Sequence, residues 1–324
     1  MIRTLKERIL SGGQPIAFDE ALQLSATDRR EELYAAADQI RKHFCRTEFD
    51  TCSIVNARSG RCSEDCKWCA QSAFHRTGIE TYSMKAADEI VAMARTNADK
   101  GVRRFCMVTS GRRVDRAQME EFCKAYRQVR EQTGLKLCAS MGLVGREEMQ
   151  MLKDAGVTRY ECNLETAPSF FSSLCSTHTV EEKKRTLTMA KEMGMELCSG
   201  GIIGMGEGME HRIELAMELR ALGVKSTPIN VLNPVKGTPL QDVPPLSDEE
   251  ILTTIAVFRF ILPDSFLRFA GGRVNMSLEL QRRALGAGLN ASIVGGLLTT
   301  AGTDIDRDYS LFRSAGYSLA DEAF

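Results

Sequence analysis

Residues 134–140 read Gly134-Leu135-Lys136-Leu137-Cys138-Ala139-Ser140. An amphipathic stretch over 146–155 follows, and past Gly156 comes Arg159-Tyr160-Glu161-Cys162-Asn163-Leu164. Two short β-rich runs bracketing a helical stretch form a βαβ unit, and such a crossover makes its strands parallel. The cadence extends in both directions. Strands are expected over 52–56, 104–108, 135–140, 159–164, 195–199, 226–231, 266–270 and 291–294, with helices near 86–99, 115–132, 146–155, 180–193, 209–222, 247–261 and 277–286. Gly101, Gly134, Gly156, Gly194 and Gly223 fall where helices should stop, a position that favours a left-handed residue. Eight strands alternating with helices predict an α/β chain, and eight is the number that closes a (βα)8 TIM-type barrel. An open doubly wound sheet is the alternative, but the glycine cluster over 200–208 does not open a first βα unit as a dinucleotide fingerprint would. Ahead of the first strand, Asp19 is placed to cap one helix and Thr27 or Asp28 a second that runs to about His43. The expected organisation is an N-terminal helical extension over 1–47 and the barrel over 48–324.

The 324 residues carry 42 Lys plus Arg against 43 Asp plus Glu, a formal net charge of −1. So even a balance argues against a partner held mainly by charge, so neither a nucleic acid nor an anionic membrane surface is expected. No apolar run approaches the roughly 18 residues of a membrane span. No apolar stretch behind Met1 reads as a secretory signal, and a cytoplasmic location is expected. The 11 cysteines are many. In a reducing compartment they are not staples, which leaves packing, metal ligation or nucleophilic chemistry. The four histidines form neither a triad nor an HExxH pattern, so hydrolysis is unsupported.

Arg61-Cys62-Ser63-Glu64-Asp65-Cys66-Lys67-Trp68-Cys69 sets three cysteines as CxxxCxxC behind the first strand, at the face where barrel active sites lie. Three thiolates this close can wrap one soft metal centre. A structural zinc would want a fourth protein ligand, and His75 is the only close imidazole. A 4Fe–4S cluster held by three cysteines keeps one iron open. The motif resembles the signature of radical S-adenosylmethionine enzymes. That resemblance implies a 4Fe–4S cluster on Cys62, Cys66 and Cys69 whose open iron chelates the methionine part of S-adenosylmethionine. Electron transfer into the sulfonium then yields a 5′-deoxyadenosyl radical. It also implies that Trp68 lies beside adenine, although Trp68 can equally be read as packing.

Cys106, Cys138, Cys162 and Cys198 fall on four successive expected strands. Singly, each reads as a small buried hydrophobe. On neighbouring barrel strands such side chains can also converge inside. The run 53–72, together with Lys236-Gly237-Thr238-Pro239-Leu240, Arg268-Phe269-Ala270-Gly271-Gly272-Arg273 and Leu297-Leu298-Thr299-Thr300, resembles the biotin synthase family, and the match spans nearly the whole chain. The resemblance implies conversion of dethiobiotin to biotin, with sulfur supplied by an auxiliary iron–sulfur cluster on Cys106, Cys138, Cys198 and Arg268. The family's usual cluster is 2Fe–2S; three cysteines would also serve a second cubane that carries an extra sulfur. Taken alone, Arg268 reads as a buried ion-pair partner, because a guanidinium is normally protonated.

By the same resemblance Gly201, Ile202 and Gly204 lie near adenine, Glu165 meets the ribose, and Asn163 serves both cofactor and substrate. Asn230 holds the dethiobiotin ring, and Thr299 and Thr300 receive its carboxylate tail. Thr109 and Ser110 are candidates for the cofactor's amino group, although Met107-Val108-Thr109-Ser110-Gly111-Arg112 departs from the family's sequence there. Cys162 stands where the family has histidine and could add a thiolate if it points inward. Cys45, Cys52, Cys123 and Cys175 are assigned to packing. An electron donor such as flavodoxin or ferredoxin, and a homodimer, complete the expectations. An alkyl C–H bond is not acidic at any side-chain pKa, so such a substrate demands hydrogen-atom abstraction instead of acid–base catalysis.

Overall fold

The β-rich runs pair into one parallel sheet. In the computed structural model, which describes residues 1–319, the strands are β1 (Asp50–Arg58), β2 (Arg104–Thr109), β3 (Lys136–Ser140), β4 (Val157–Glu161), β5 (Glu196–Cys198), β6 (Gly201–Ile203), β7 (Ser226–Val231), β8 (Phe266–Phe269) and β9 (Ala291–Ile293). β1 pairs with both β2 and β9, and β5 joins β7 through Cys198 and Ser226, so the sheet closes into a barrel. The expected fifth strand is two segments of one pass, β5 and β6, broken at Ser199-Gly200. The break has a steric cause: a Cβ on Gly200 would lie 1.9 Å from the Pro228 carbonyl oxygen, an approach to β7 that only glycine permits. Ser199 ties the same point to the chain behind β4, its hydroxyl donating to the Cys162 carbonyl (2.8 Å) and accepting the Leu164 N–H (3.2 Å). Residues 320–324, the end of the expected barrel span, lie outside the described residues.

The outer helices follow from their caps and stripes. Helix Val180–Glu192 starts at Thr179, whose hydroxyl accepts the Glu182 N–H while the Glu182 carboxylate accepts the Thr179 N–H. Gly101, Gly156, Gly194 and Gly223 take φ values between 74° and 99° at helix ends, as expected. Gly134 does not, because Thr133 already ends its helix in an extended conformation, with its hydroxyl on the Val129 carbonyl (2.8 Å). Three helices precede β1: α1 (Ile2–Leu10), α2 (Phe18–Ser25) and α3 (Arg30–Cys45). The caps differ from expectation. Ala17 precedes α2, its N–H held by Glu20 (2.9 Å), and Arg29 precedes α3, its N–H held by the Thr27 hydroxyl (3.3 Å). α1 packs on α3, while α2 and α3 pack on helix Asp248–Ile261. Helix Ile305–Ser314 was not anticipated; Asp304 caps it, and its Phe312 stacks on Phe49 with ring centroids 4.1 Å apart.

Strand alternation creates two separate interiors. Phe105, Met107, Leu137, Ala139, Tyr160 and Leu197 face the helices and belong to the main apolar core. Alternate residues face the barrel axis. TIM barrels ordinarily fill that space with layers of branched apolar residues; here the lowest layer is charged. Arg104 donates to Glu196 (3.0 Å), Glu196 accepts from Arg159 (2.9 Å), Arg159 approaches Asp50 (3.5 Å), and Asp50 pairs with Arg268 (2.5 Å). Alternating signs make the burial of Asp50 and the three arginines tolerable, because an unpaired buried charge costs several kcal/mol, while Glu196 stays half-exposed. Two residues further along three of the same strands come Cys52, Cys106 and Cys198. Cys52, Cys106 and Cys138 form their own buried cluster, with Ile54 and Val108 above it.

Candidate active site

The CxxxCxxC loop folds over the C-terminal end of β1. Its backbone closes on itself: Cys62 N–H donates to Gln71 (2.9 Å), Ala73 N–H returns to Cys62 (2.8 Å), and Cys69 N–H bonds to Cys66 (3.0 Å). Two carboxylates pin it to the segment behind β4. Asp65 accepts from the Ser176 N–H (2.9 Å), and Glu64 pairs with His178 (2.7 Å) and Arg112 (3.3 Å). Arg61, just before Cys62, and Glu165 are two of the three non-glycine residues with positive φ among the described residues, at 50° and 73°. Such conformations persist only where the surroundings impose them. Glu165 flanks the opening of the site, and Arg61 leads into the cysteine loop beside it.

That opening contains two adjoining cavities of ≈ 290 and ≈ 210 Å³. They share Trp68, Cys69, Val108, Glu161, Asn163 and Glu165 as common walls. The smaller is bounded by Cys62, Cys66, Thr109, Ser110 and Lys183, and the larger by Ile54, Ile202, Asn230, Leu298, Thr299 and Thr300. The three loop cysteines and the expected cofactor and substrate residues therefore gather in one place, with two exceptions. Gly201 and Gly204 line neither cavity. Gly201 lets the chain pass Glu165, whose carbonyl oxygen would lie 2.4 Å from an added Cβ, and Gly204 takes a φ of 94°. The Glu207 carboxylate, accepting from the N–H groups of Gly204 and Met205 (both 2.7 Å) and from Arg212 (2.7 Å), holds this glycine-rich turn.

Several side chains are partly committed. The Ser110 hydroxyl donates to the Gly60 carbonyl (2.7 Å), whereas the buried Thr109 hydroxyl has no partner. Asn163 accepts the Gly200 N–H (3.0 Å). Asn230 donates to the Gly201 carbonyl (3.1 Å) and accepts the Gly271 N–H (2.8 Å), which fixes its amide at the cavity wall. Burial pushes the Glu165 carboxyl up to about 7, with Lys183 opposing it. Trp68 meets Phe171 edge-on at 6.4 Å.

Below the cavities lie the strand thiols. Cys106 Sγ approaches the Glu161 carboxylate at 3.7 Å, and Cys198 Sγ the Ser226 hydroxyl at 3.4 Å. Cys162 does not join them; one residue past the end of β4, it packs in the main apolar core and edges the smaller cavity. Arg268 reaches this floor with its guanidinium on Asp50, the Ser292 carbonyl (3.1 Å) and the Ser226 hydroxyl (3.3 Å). The donor chemistry suits iron–sulfur clusters at both levels. Every cysteine is a free thiol, and Cys62, Cys66 and Cys69 are half-buried around a cavity that also presents an unpartnered hydroxyl. Burial pushes the Cys69 thiol up to about 11, and a bound cation would reverse that shift.

Sequence reasoning missed Glu161, Lys183 and Arg112. Glu161 had a signal: 159, 161 and 163 are polar at every second position of a strand. Lys183 had one too, as a cation within the buried stripe Val180, Thr186, Leu187 and Ala190; its ammonium donates to the Asn163 carbonyl (2.9 Å). Cys175 was assigned to packing, and its Sγ lies 3.7 Å from that of Cys66.

The radical SAM superfamily model matches residues 57–219, and that of the biotin and thiamin synthesis associated domain matches residues 228–318. The chain is 49% identical to a biotin synthase of Porphyromonas gingivalis, over 99% of this chain and 97% of that one. It is 50% identical to a biotin synthase of Parabacteroides distasonis, over 99% and 98%. Among solved structures, methylornithine synthase superposes with a TM-score of 0.83 at 18% identity, covering 98% of this chain and 97% of that one, which shows the shared fold alone. Near 50% identity from end to end, on a closed barrel whose cysteine loop and inner thiols flank one opening, places this chain in the biotin synthase family of radical S-adenosylmethionine enzymes.

Proposed function

We propose that this chain converts dethiobiotin to biotin by inserting sulfur between two unactivated carbons, with S-adenosylmethionine as co-substrate. The observation that carries the reading is the placement of the two adjoining cavities, with the CxxxCxxC cysteines on one side and the strand thiols beneath. Cys62, Cys66 and Cys69 would hold the 4Fe–4S cluster, and Cys106, Cys138 and Cys198 the sulfur-donating auxiliary cluster. When bound, these groups supply one-electron chemistry and sulfur that no side chain can.

The chain's own residues position and exclude. Ile54, Val108, Ile202 and Leu298 make an apolar wall suited to an alkyl chain and keep water from a reactive intermediate. Asn163 and Asn230 can pair with the donors and acceptors of a ureido ring, and Thr299 and Thr300 can receive the tail carboxylate. The unpartnered Thr109 hydroxyl, Glu165 and Trp68 face the cofactor side, and the adenine edge would be shaped by the turn of Gly201, Ile202 and Gly204, of which Ile202 alone lines a cavity. We further propose a small donor such as flavodoxin or ferredoxin, a cytoplasmic homodimer, and the division into 1–47 and the barrel. Among the described residues no helix is long and apolar enough to cross a membrane.

The test is anaerobic incubation of the reconstituted chain with S-adenosylmethionine, dethiobiotin and dithionite. Biotin and 5′-deoxyadenosine should both form, and Cys66→Ala should form neither while keeping its far-UV circular dichroism. 5′-Deoxyadenosine without biotin would assign the chain a different substrate.

A further inference from the structure

We infer that Cys66, Cys175 and His178 form a site for a single soft divalent cation, zinc, in the chain that does not yet carry its outer cluster. Cys66 serves both groups, so the ion and the 4Fe–4S cluster exclude one another. That exclusion rests on the reading that Cys66 holds the cluster; the ion site itself does not.

Size comes first. The sulfurs of Cys66 and Cys175 and a ring nitrogen of His178 all lie within 4.8 Å of one another. A tetrahedral zinc, with Zn–S of about 2.3 Å and Zn–N of about 2.0 Å, sets two sulfurs about 3.8 Å apart and a sulfur and a nitrogen about 3.5 Å apart. Here the sulfurs are 3.7 Å apart, and Cys175 Sγ lies 3.3 Å from His178 Nδ1 and 3.9 Å from Nε2. Among the described residues, Cys62, Cys66 and Cys69 do not form so tight a group. The loop triad is spaced for a cluster and this trio for one ion.

The site is also built. Cys175 and His178 stand as C-x-x-H on the turn before helix Val180–Glu192. Asp65, next to Cys66, fastens that turn to the cysteine loop. It accepts the N–H groups of Ser176 (2.9 Å) and Thr177 (3.3 Å) and the Thr177 hydroxyl (3.1 Å). The Glu64 carboxylate accepts from His178 Nδ1 (2.7 Å), which orients the ring and leaves Nε2 for the ion, as second-shell carboxylates do at histidine-ligated metals. Cys175 and His178 are buried, whereas Cys66 and His178 both edge the smaller cavity, from which water can complete the fourth position. Binding releases the two thiol protons to solvent and leaves a neutral zinc dithiolate beside the Asp65 and Glu64 carboxylates.

The test uses the full chain, anaerobic, reduced and free of iron. Cys106→Ser serves as the parent, because it removes the interior group that is also close enough for one ion. Zinc affinity is read by competition with a chromophoric chelator, and cobalt(II) reports tetrahedral thiolate ligation through its visible absorption. One ion should bind per chain. Cys175→Ser, which keeps the packing, His178→Gln and Glu64→Gln should each weaken binding at least about tenfold. Cys62→Ala should leave the affinity unchanged. A loss with Cys62→Ala as large as with Cys66→Ala would put the ion on the loop triad and overturn the inference. So would unchanged affinity in Cys175→Ser, or no saturable binding by the parent. Reconstitution with ⁵⁷Fe and sulfide then reads the exclusion. One equivalent of zinc should remove the outer cluster's Mössbauer component from the parent and spare it in Cys175→Ser; a component unmoved by bound zinc refutes the exclusion. If the parent forms no outer cluster even without zinc, the reading of Cys66 as a cluster ligand fails separately, and the affinities still decide the ion site.

Discussion

Asp50 is the anion on which Arg268 and Arg159 converge, at 2.5 and 3.5 Å. Asp50→Asn keeps the volume and one acceptor oxygen but leaves two buried guanidiniums facing a neutral amide. Breaking a buried pair from one side costs about 3–5 kcal/mol. The amide can still accept one bond and Glu196 still holds Arg159 (2.8 Å), so the loss belongs at the lower end, about 3 kcal/mol. With an m-value on the order of 3 kcal/mol/M for a chain of this size, the urea midpoint of the iron-free protein should fall by about 1 M. The control is Asp264→Asn, which breaks the exposed pair with Lys225 and should move the midpoint by about 0.3 M or less. Equal shifts in the two variants would refute the buried-ladder reasoning. The pH dependence has a definite sign. Burial pushes the Asp50 carboxyl up, but Arg268 and then Arg159 pull it below its ordinary value on balance. Its stabilisation is therefore fully present above about pH 4, the ordinary carboxylate range, and fades as pH falls through the folded-state value. The gap between wild type and Asp50→Asn should close only in that acid range.

Three further outcomes concern the opening. Asn230→Ala removes two hydrogen bonds that hold the cavity wall, and should weaken dethiobiotin binding about tenfold while changing substrate-free cofactor cleavage less; unchanged affinity by calorimetry would count against it. Gly201→Ala would set a Cβ 2.4 Å from the Glu165 carbonyl oxygen and 2.6 Å from Leu215, so S-adenosylmethionine affinity should drop at least about tenfold, measured by equilibrium dialysis. Thr109→Val removes an unpartnered buried hydroxyl, so the cofactor-free chain should hold or gain stability while S-adenosylmethionine binds several-fold more weakly; a loss of stability with unchanged binding would contradict that assignment.

The barrel was legible because its evidence is periodic. β-rich runs recur between amphipathic stretches, and four of the five expected glycine stops take left-handed values at helix ends. The break between β5 and β6 was not legible, because it arises from a backbone approach to Pro228 and no local pattern encodes that. The cysteine loop and the cavity residues came through motif and resemblance. Cys52, assigned to packing, is indeed buried, and what the sequence alone did not show is that its neighbours there are Cys106 and Cys138. Lys183 and Arg112 were missed because they reach the opening from elements that carry no motif, one from a helix stripe and one from the loop behind β2.

The interior is ordered by the two-residue period of its strands. Asp50, Arg104, Arg159 and Glu196 form a charged floor, and two residues on, Cys52, Cys106, Glu161 and Cys198 form the next layer. Two residues further, Ile54, Val108 and Asn163 line the cavities. Each layer answers a need of the one above it. The arginines are held in ion pairs before any iron arrives, so the iron-free barrel closes without exposing thiols to water. Their surplus positive charge then favours an anionic group in the thiol layer. On the proposed reading that layer would set a sulfur source directly beneath the cavities, with the loop whose cysteines would face S-adenosylmethionine on the other side. A fold that carried its sulfur donor on a surface loop would need a moving segment to bring it to the substrate; the pleat of eight strand passes would hold it in place.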